Sequence, residues 1–199
     1  ISGYEIIFMG SFCILVLILL LYIVVRNNQE KSELVRSAQT DALTGVYNKE
    51  NTQKVIDAIL REKDPKGFHG FLILDMDHFK EVNDVYGHVM GDNVLKMLGS
   101  FLKEQFREQD VIGRIGGDEF VILLCNIGSR ENMESRIKNL HEKLREIHME
   151  GMEEYTFSFS AGIAFAPQDG DTFMELYQKA DLALYQVKRS GRNGYRIYK

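Results

Sequence analysis

The chain has 199 residues, enough for one globular domain and a short appendage but too few for two sizeable cores. Its net charge of -5, with no dense Lys/Arg stripe, excludes a polymeric nucleic-acid partner. Cys13 and Cys125 are its only cysteines, each inside an apolar run, so neither a disulfide framework nor a CxxC metal site can be built, and the soluble part reads as that of a reducing compartment.

In chain order, the first element is the uncharged run from Ile6 to Val25. Its length matches a hydrocarbon layer of about 30 Å, so residues 6–25 are expected to form a transmembrane helix within a membrane segment 1–26. A cleaved signal peptide and a buried core helix fit less well. No small-residue cleavage site follows the run, and core helices rarely stay apolar all round at this length. Arg26 and Lys31 follow the run while only Glu5 precedes it, so the positive-inside tendency implies a single-pass protein of the cell inner membrane with its C-terminal part in the cytoplasm. Because the chain opens at Ile1 and not at Met, a preceding segment such as an extracytoplasmic sensor is expected. Residues 27–39 are polar apart from Leu34, Val35 and Ala38 and lack Pro and Gly, which suits a helical stalk. A heptad through Val24, Asn27, Lys31, Leu34 and Ala38 has polar residues at two seam positions, a weak coiled-coil pattern.

The domain proper is expected over 40–199. Helical spacing occurs in Val55, Ile56, Ile59, Leu60; in Val94, Leu95, Leu98, Phe101, Leu102; in Met133, Ile137, Leu140, Leu144; and in Phe173, Leu176, Ala180, Ala183, Leu184, Val187. Between these lie β-rich runs at Phe71 to Leu74, Val111 to Ile115, Phe120 to Cys125, Tyr155 to Ile163 and Tyr195 to Tyr198. The alternation predicts an α/β chain of the α+β sandwich kind, with helices on both faces of a mixed sheet of about five strands. The mixture follows from Gly116-Gly117-Asp118-Glu119, which joins two strands in a tight antiparallel hairpin.

Two acidic clusters stand out. The strand Phe71-Leu72-Ile73-Leu74 runs into Asp75-Met76-Asp77, and carboxylates there are costly unless a cation accompanies them. The hairpin offers Asp118 and Glu119 after two glycines that admit close approach of a ligand. If the strands are neighbours, the clusters meet as an oxygen-ligand site suited to Mg²⁺. Either cluster alone reads as solvated turn residues.

Asp41-Ala42-Leu43-Thr44-Gly45 with Asn48, Asp75-Met76-Asp77-His78-Phe79-Lys80, Asn83-Asp84, Gly87-His88, Gly91-Asp92 and GGDEF at 116–120 together resemble the GGDEF family of diguanylate cyclases. Ser158 to Ala164, Ala180-Asp181, Leu184-Tyr185, Lys188 and Gly191-Arg192-Asn193 extend the resemblance from about Thr40 to the C-terminus. It implies a fold like that of nucleotide cyclases and polymerase palms. It also implies an enzyme condensing two GTP into cyclic di-GMP with release of pyrophosphate, with Mg²⁺ as cofactor and Mn²⁺ as an alternative.

On matching positions the resemblance implies Asp75, Asp118 and the Met76 carbonyl as metal ligands, with Glu119 in metal binding or in activating the attacking 3′-hydroxyl. Which acid serves as base stays open. Asn83, His88 and Asp92 are implied on the guanine and ribose side. Lys80, Lys188 and Arg192 are implied against the triphosphate, with Lys80 placed among the catalytic residues beside Asp118 and Glu119. Without the family pattern His88 reads as a turn residue, Asp92 as an N-cap, and Lys188 and Arg192 as cations at a helix end. One hairpin holds one GTP, so a homodimer is implied, with the membrane helix and stalk setting the encounter. Arg107 and Asp110 resemble the family's RxxD product-inhibition site for cyclic di-GMP. The competing readings are a receptor that binds GTP or cyclic di-GMP without turnover and a single-nucleotide cyclase or polymerase-like palm; the intact signature and the guanine-side residues fit these less well.

Overall fold

Apolar residues repeating at period two build a sheet that is covered on both sides. The computed structural model describes residues 18–27, 38–62 and 67–199, and the chain divides into two units, 1–39 and 40–199. In the first unit residues 18–27 are helical, and the side chains of Ile18 through Val25 are 43–65% exposed. No helix among the described residues is long and apolar enough to cross a membrane. Most of the expected span 6–25 and of the stalk 27–39 lies outside the described residues.

The second unit runs α1 (Lys49–Arg61), β1 (His69–Met76), α2 (Phe79–Tyr86), α3 (His88–Gln105), β2 (Val111–Gly116), β3 (Glu119–Leu124), α4 (Arg130–Arg145), β4 (Phe159–Ala166), α5 (Phe173–Arg189) and β5 (Gly194–Ile197). The five strands lie in the order β2-β3-β1-β4-β5, antiparallel except for the parallel β4–β5 pair that α5 connects. The expected mixed sheet is therefore present.

Alternate residues of the central strands face opposite cores. Leu72, Leu74, Phe120, Ile122, Phe159 and Ile163 meet Val82, Val94, Leu98, Met133 and Ile137 from α2, α3 and α4. Phe71, Ile73, Val121, Leu123 and Ala164 meet Ile56 of α1 and Phe173, Leu176 and Leu184 of α5. The helices start where short polar side chains satisfy first-turn amides: Asn48 accepts from Asn51 N, Ser129 from Asn132 N and Thr172 from Glu175 N.

Two local expectations change. The strand expected over 155–163 lies at 159–166, because Tyr155 to Ser158 approaches as irregular chain while Phe157 still fills the core. Asp92 is inside α3 and caps nothing; the residue at that helix start is Gly87, which also ends α2.

Candidate active site at the end of β1

Strand pairing brings the two acidic clusters together. Asp75 stands opposite Glu119 in the β1–β3 ladder and opposite Ser160 in the β1–β4 ladder. The Met76 amide donates to the Asp118 carbonyl at 3.4 Å. Both backbone groups of a strand residue point the same way, so the Met76 carbonyl is aimed at the hairpin as well.

The hairpin tip is bent by a register shift between Arg114 and Gly116. Gly117 turns it with φ 51°, a left-handed conformation that glycine adopts without steric cost. A Cβ on Gly116 or Gly117 would meet nothing within 4 Å, so a ligand can approach this backbone closely. Arg114 braces the turn. Its Nε donates to the Gly117 carbonyl at 2.8 Å and its Nη1 lies 3.1 Å from Asp41 Oδ1, which also accepts from the Thr44 amide and hydroxyl. Asp41 and Thr44 thus tie the tip to the start of the domain.

The electrostatics of this edge ask for a cation. Burial, and next the neighbouring Asp75 carboxylate, push the Asp118 carboxyl above the usual aspartate range; Glu119 adds to this and Lys188 opposes it. Lys188 comes from the last turn of α5 and its Nζ lies 2.7 Å from Asp75 Oδ2. Glu119 is turned toward α5, accepting from the Tyr177 hydroxyl at 2.7 Å. Burial and that hydrogen bond raise the pKa of the Tyr177 hydroxyl, which keeps it a donor.

Among the described residues, no three His, Cys, Asp or Glu side chains gather into a closed metal cluster. What the edge presents is more open: Asp75 and Asp118, two acids with Lys188 against them, and the Met76 carbonyl. That donor set fits Mg²⁺ or Mn²⁺, since Mg²⁺ takes one or two carboxylates and leaves the remaining positions to water and phosphate oxygens.

Asp77, grouped with Asp75 in the sequence, has a different environment. It is 3% exposed and accepts from Ser158 Oγ at 2.9 Å, Ser160 Oγ at 2.7 Å and the Asn193 amide at 2.9 Å.

The remaining predicted residues stand on the helices around this edge. Asn83 is half-buried on α2 and packs on Gly91 of α3, where a Cβ would lie 2.0 Å from Asn83 Oδ1. Glycine at 91 is what lets the two helices close on that amide. Lys80 near the start of α2, and His88 and Asp92 in the first turns of α3, are exposed. Arg192 is exposed in the loop between α5 and β5.

The RxxD residues part company. Asp110 is buried and accepts from the Arg107 amide at 3.0 Å and the Cys125 amide at 2.9 Å, with Arg136 Nη1 3.5 Å away. Arg107 stays exposed and lines a surface cavity with Tyr47, Lys103 and Phe106.

Sequence reasoning missed Tyr177 and Arg114. Arg114 had left a signal, a single charge in the apolar strand Val111 to Ile115. Tyr177 follows the core residue Leu176 on α5 and nothing in the sequence aims it at the hairpin.

Residues 38–194 match the family described as diguanylate cyclase, GGDEF domain. The chain is 36% identical over 173 residues to the diguanylate cyclase DgcS of Shewanella oneidensis, covering 86% of this chain and 56% of that protein. It is 33% identical over 173 residues to the cyclic di-GMP phosphodiesterase PdeR of Escherichia coli, covering 87% of this chain and 26% of that protein. The chain therefore spans about half or less of the length of these relatives. In three dimensions it resembles the isolated GGDEF domain of TpbB from Pseudomonas aeruginosa, with TM-score 0.75, 31% identity, and coverage of 80% of this chain and 94% of that one. With the match running through the hairpin, the strand-end acid and the last helix, the chain belongs to the GGDEF domain family of diguanylate cyclases.

Proposed function

We propose that this domain is an active diguanylate cyclase that condenses two GTP into cyclic di-GMP. In each half-reaction a 3′-hydroxyl attacks the α-phosphorus of the other GTP. The bond to the bridging oxygen of the β-phosphate breaks, and pyrophosphate leaves, twice per product. The observation that carries the reading is the meeting of Asp75 and Asp118 at one sheet edge, where burial and mutual repulsion leave Asp118 short of positive charge.

Asp75, Asp118 and the Met76 carbonyl hold Mg²⁺ or Mn²⁺ in this reading. The bound ion supplies Lewis-acid stabilisation of charge on the triphosphate. Lys80, Lys188 and Arg192 neutralise the same phosphates. α2 starts immediately after β1 without a side-chain cap, so its first-turn N–H groups suit an anion. Asn83, His88 and Asp92 take the guanine and ribose side, the Asn amide and Asp carboxylate matching the donors and acceptors of guanine. Glu119, on the same sheet face as its ladder partner Asp75 and hydrogen-bonded to Tyr177, is assigned to the proton of the attacking hydroxyl.

Each domain has one such edge, so synthesis takes two protomers face to face. The exposed apolar helix 18–27 fits the end of a single-pass inner-membrane anchor that brings two cytoplasmic domains together. Product inhibition acts through Arg107, with Asp110 holding its backbone from inside. The test is incubation with GTP and Mg²⁺ followed by nucleotide separation, beside Glu119→Ala. Cyclic di-GMP from the wild type and none from the variant is expected; GTP recovered intact from a dimeric wild-type sample would overturn the reading in favour of a nucleotide receptor.

A further inference from the structure

The loop carrying Arg192 is held in an unfavourable bend. Arg192 has φ 62° and Asn193 φ 49°, two successive non-glycine residues in the left-handed region. Such conformations are disfavoured for residues with a side chain, for arginine more than for asparagine, and persist where the surroundings hold them. Here the surroundings come from three elements. Asp77, just past the end of β1, accepts the Asn193 amide at 2.9 Å. Arg145, at the end of α4, donates from Nη2 to Asn193 Oδ1 at 3.0 Å. The Arg192 amide returns to the Val187 carbonyl of α5 at 3.1 Å.

Asp77 is itself fixed. Ser158 and Ser160 donate to its two oxygens at 2.9 and 2.7 Å, so the carboxylate is buried with three donors arranged about it. A buried carboxylate met by that many hydrogen bonds is a rigid anchor. It stands two residues from Asp75, so a single strand end carries both the proposed ion-binding acid and the anchor of the arginine loop.

We infer that Asp77 is a positioning residue, holding Asn193 so that the strained loop presents the Arg192 guanidinium to the substrate triphosphate, with Arg145 as the second hold on the same residue. The inference rests on the reading of Arg192 as a triphosphate contact. Asp77→Asn keeps the shape but replaces an accepting oxygen with a donating NH₂; because Oδ2 accepts from both the Asn193 amide and Ser158 Oγ, an NH₂ in its place leaves both without that acceptor. The loop then loses its bend, and a misplaced Arg192 weakens ground-state binding of GTP more than it slows the chemical step.

The test uses the full chain in two measurements. Amide hydrogen exchange over residues 190–194 should speed up in Asp77→Asn and in Arg145→Ala. The KM for GTP should rise roughly tenfold in Asp77→Asn with a smaller fall in kcat, since small displacements of a binding group carry factors of this size. Asp77→Asn combined with Arg192→Ala should raise KM no further than Arg192→Ala alone, the non-additivity of residues acting through one another. Should Asp77→Asn fail to fold, Arg145→Ala decides alone, with a KM rise of about twofold to threefold, the weight of one exposed hydrogen bond. Unchanged exchange at 190–194 in the folded variants, or KM effects of Asp77→Asn and Arg192→Ala that multiply, overturn the inference. Faster exchange with an unchanged KM in Arg192→Ala instead overturns the triphosphate reading and leaves only the hold of Asp77 on the loop.

Discussion

Asp118→Asn should stabilise the protein stripped of divalent cations while abolishing its activity. The Asp118 carboxyl is raised above its ordinary pKa by burial and by Asp75, so ionisation at neutral pH works against the folded state. The sign is fixed by linkage. A raised acid leaves folding most favoured below its unfolded pKa, and stability is lost as pH climbs through the folded pKa. The amide removes that penalty, and the Met76 hydrogen bond survives because it goes to the Asp118 main-chain carbonyl. Asp118 is half open to water, so screening limits the gain to about 0.5–1 kcal/mol. For a domain of this size that is about 1–4 °C in Tm. Thermal unfolding in EDTA at pH 7.5 and pH 4 measures it, and the difference should shrink at the lower pH. Saturating Mg²⁺ and a non-hydrolysable GTP analogue should reverse the order, lifting the wild type by about 2.7 kcal/mol at a hundred times Kd and the variant little. A variant less stable than wild type in EDTA, or one that gains equally from Mg²⁺ and nucleotide, would refute the electrostatic account of this edge.

His141 stacks on Phe159 with ring centroids 3.7 Å apart, and burial, then Arg145, push its pKa down to about 4. Its contribution is therefore present above about 6.5 and lost as pH falls toward 4, by roughly 1–2 kcal/mol after screening. His141→Phe should flatten the stability slope over that window in denaturant titrations, and an unchanged slope counts against the assignment. Gly91→Ala must displace the Asn83 amide, since the new Cβ would lie 2.0 Å from Oδ1; a rise in KM for GTP of about tenfold with the fold retained is expected, the loss of roughly one good hydrogen bond. Asp110→Ala should cost about 2–3 kcal/mol by stranding two amides, while Arg107→Ala leaves stability within about 0.5 kcal/mol and relieves inhibition by added cyclic di-GMP. Equal stability losses, or inhibition that persists in Arg107→Ala, would remove the division of labour between these residues.

The central strands were legible because Leu72, Leu74, Phe120 and Ile122 alternate with Phe71, Ile73, Val121 and Leu123, and both sets are apolar enough to require cover on two faces. The short helix Phe79–Tyr86 was not, since its few core contacts, Val82 above all, give too little periodicity beside Asn83 and Asp84. The shift of β4 has a similar cause: Ala164 and Ala166 carry weak strand preference, while Tyr155 and Phe157 mimic strand alternation from irregular chain. Of the site, the acids and their meeting could be read from strand ends and the hairpin. The partners could not, because Lys188 on Asp75, Tyr177 on Glu119 and Asn193 on Asp77 are contacts across 58 to 116 residues of chain. Asp77 shows the limit most clearly, being one residue of an acidic pair in sequence and a buried anchor in the fold.

The most direct test of a catalyst assembled from two such edges mixes wild-type chains with increasing Glu119→Ala chains and measures cyclic di-GMP formed per wild-type chain. If both edges must be intact, random pairing at equal amounts lowers that yield to about half, and a large excess of variant abolishes it. A yield per wild-type chain that stays constant at every ratio, or no cyclic di-GMP from wild-type protein alone, would contradict the account.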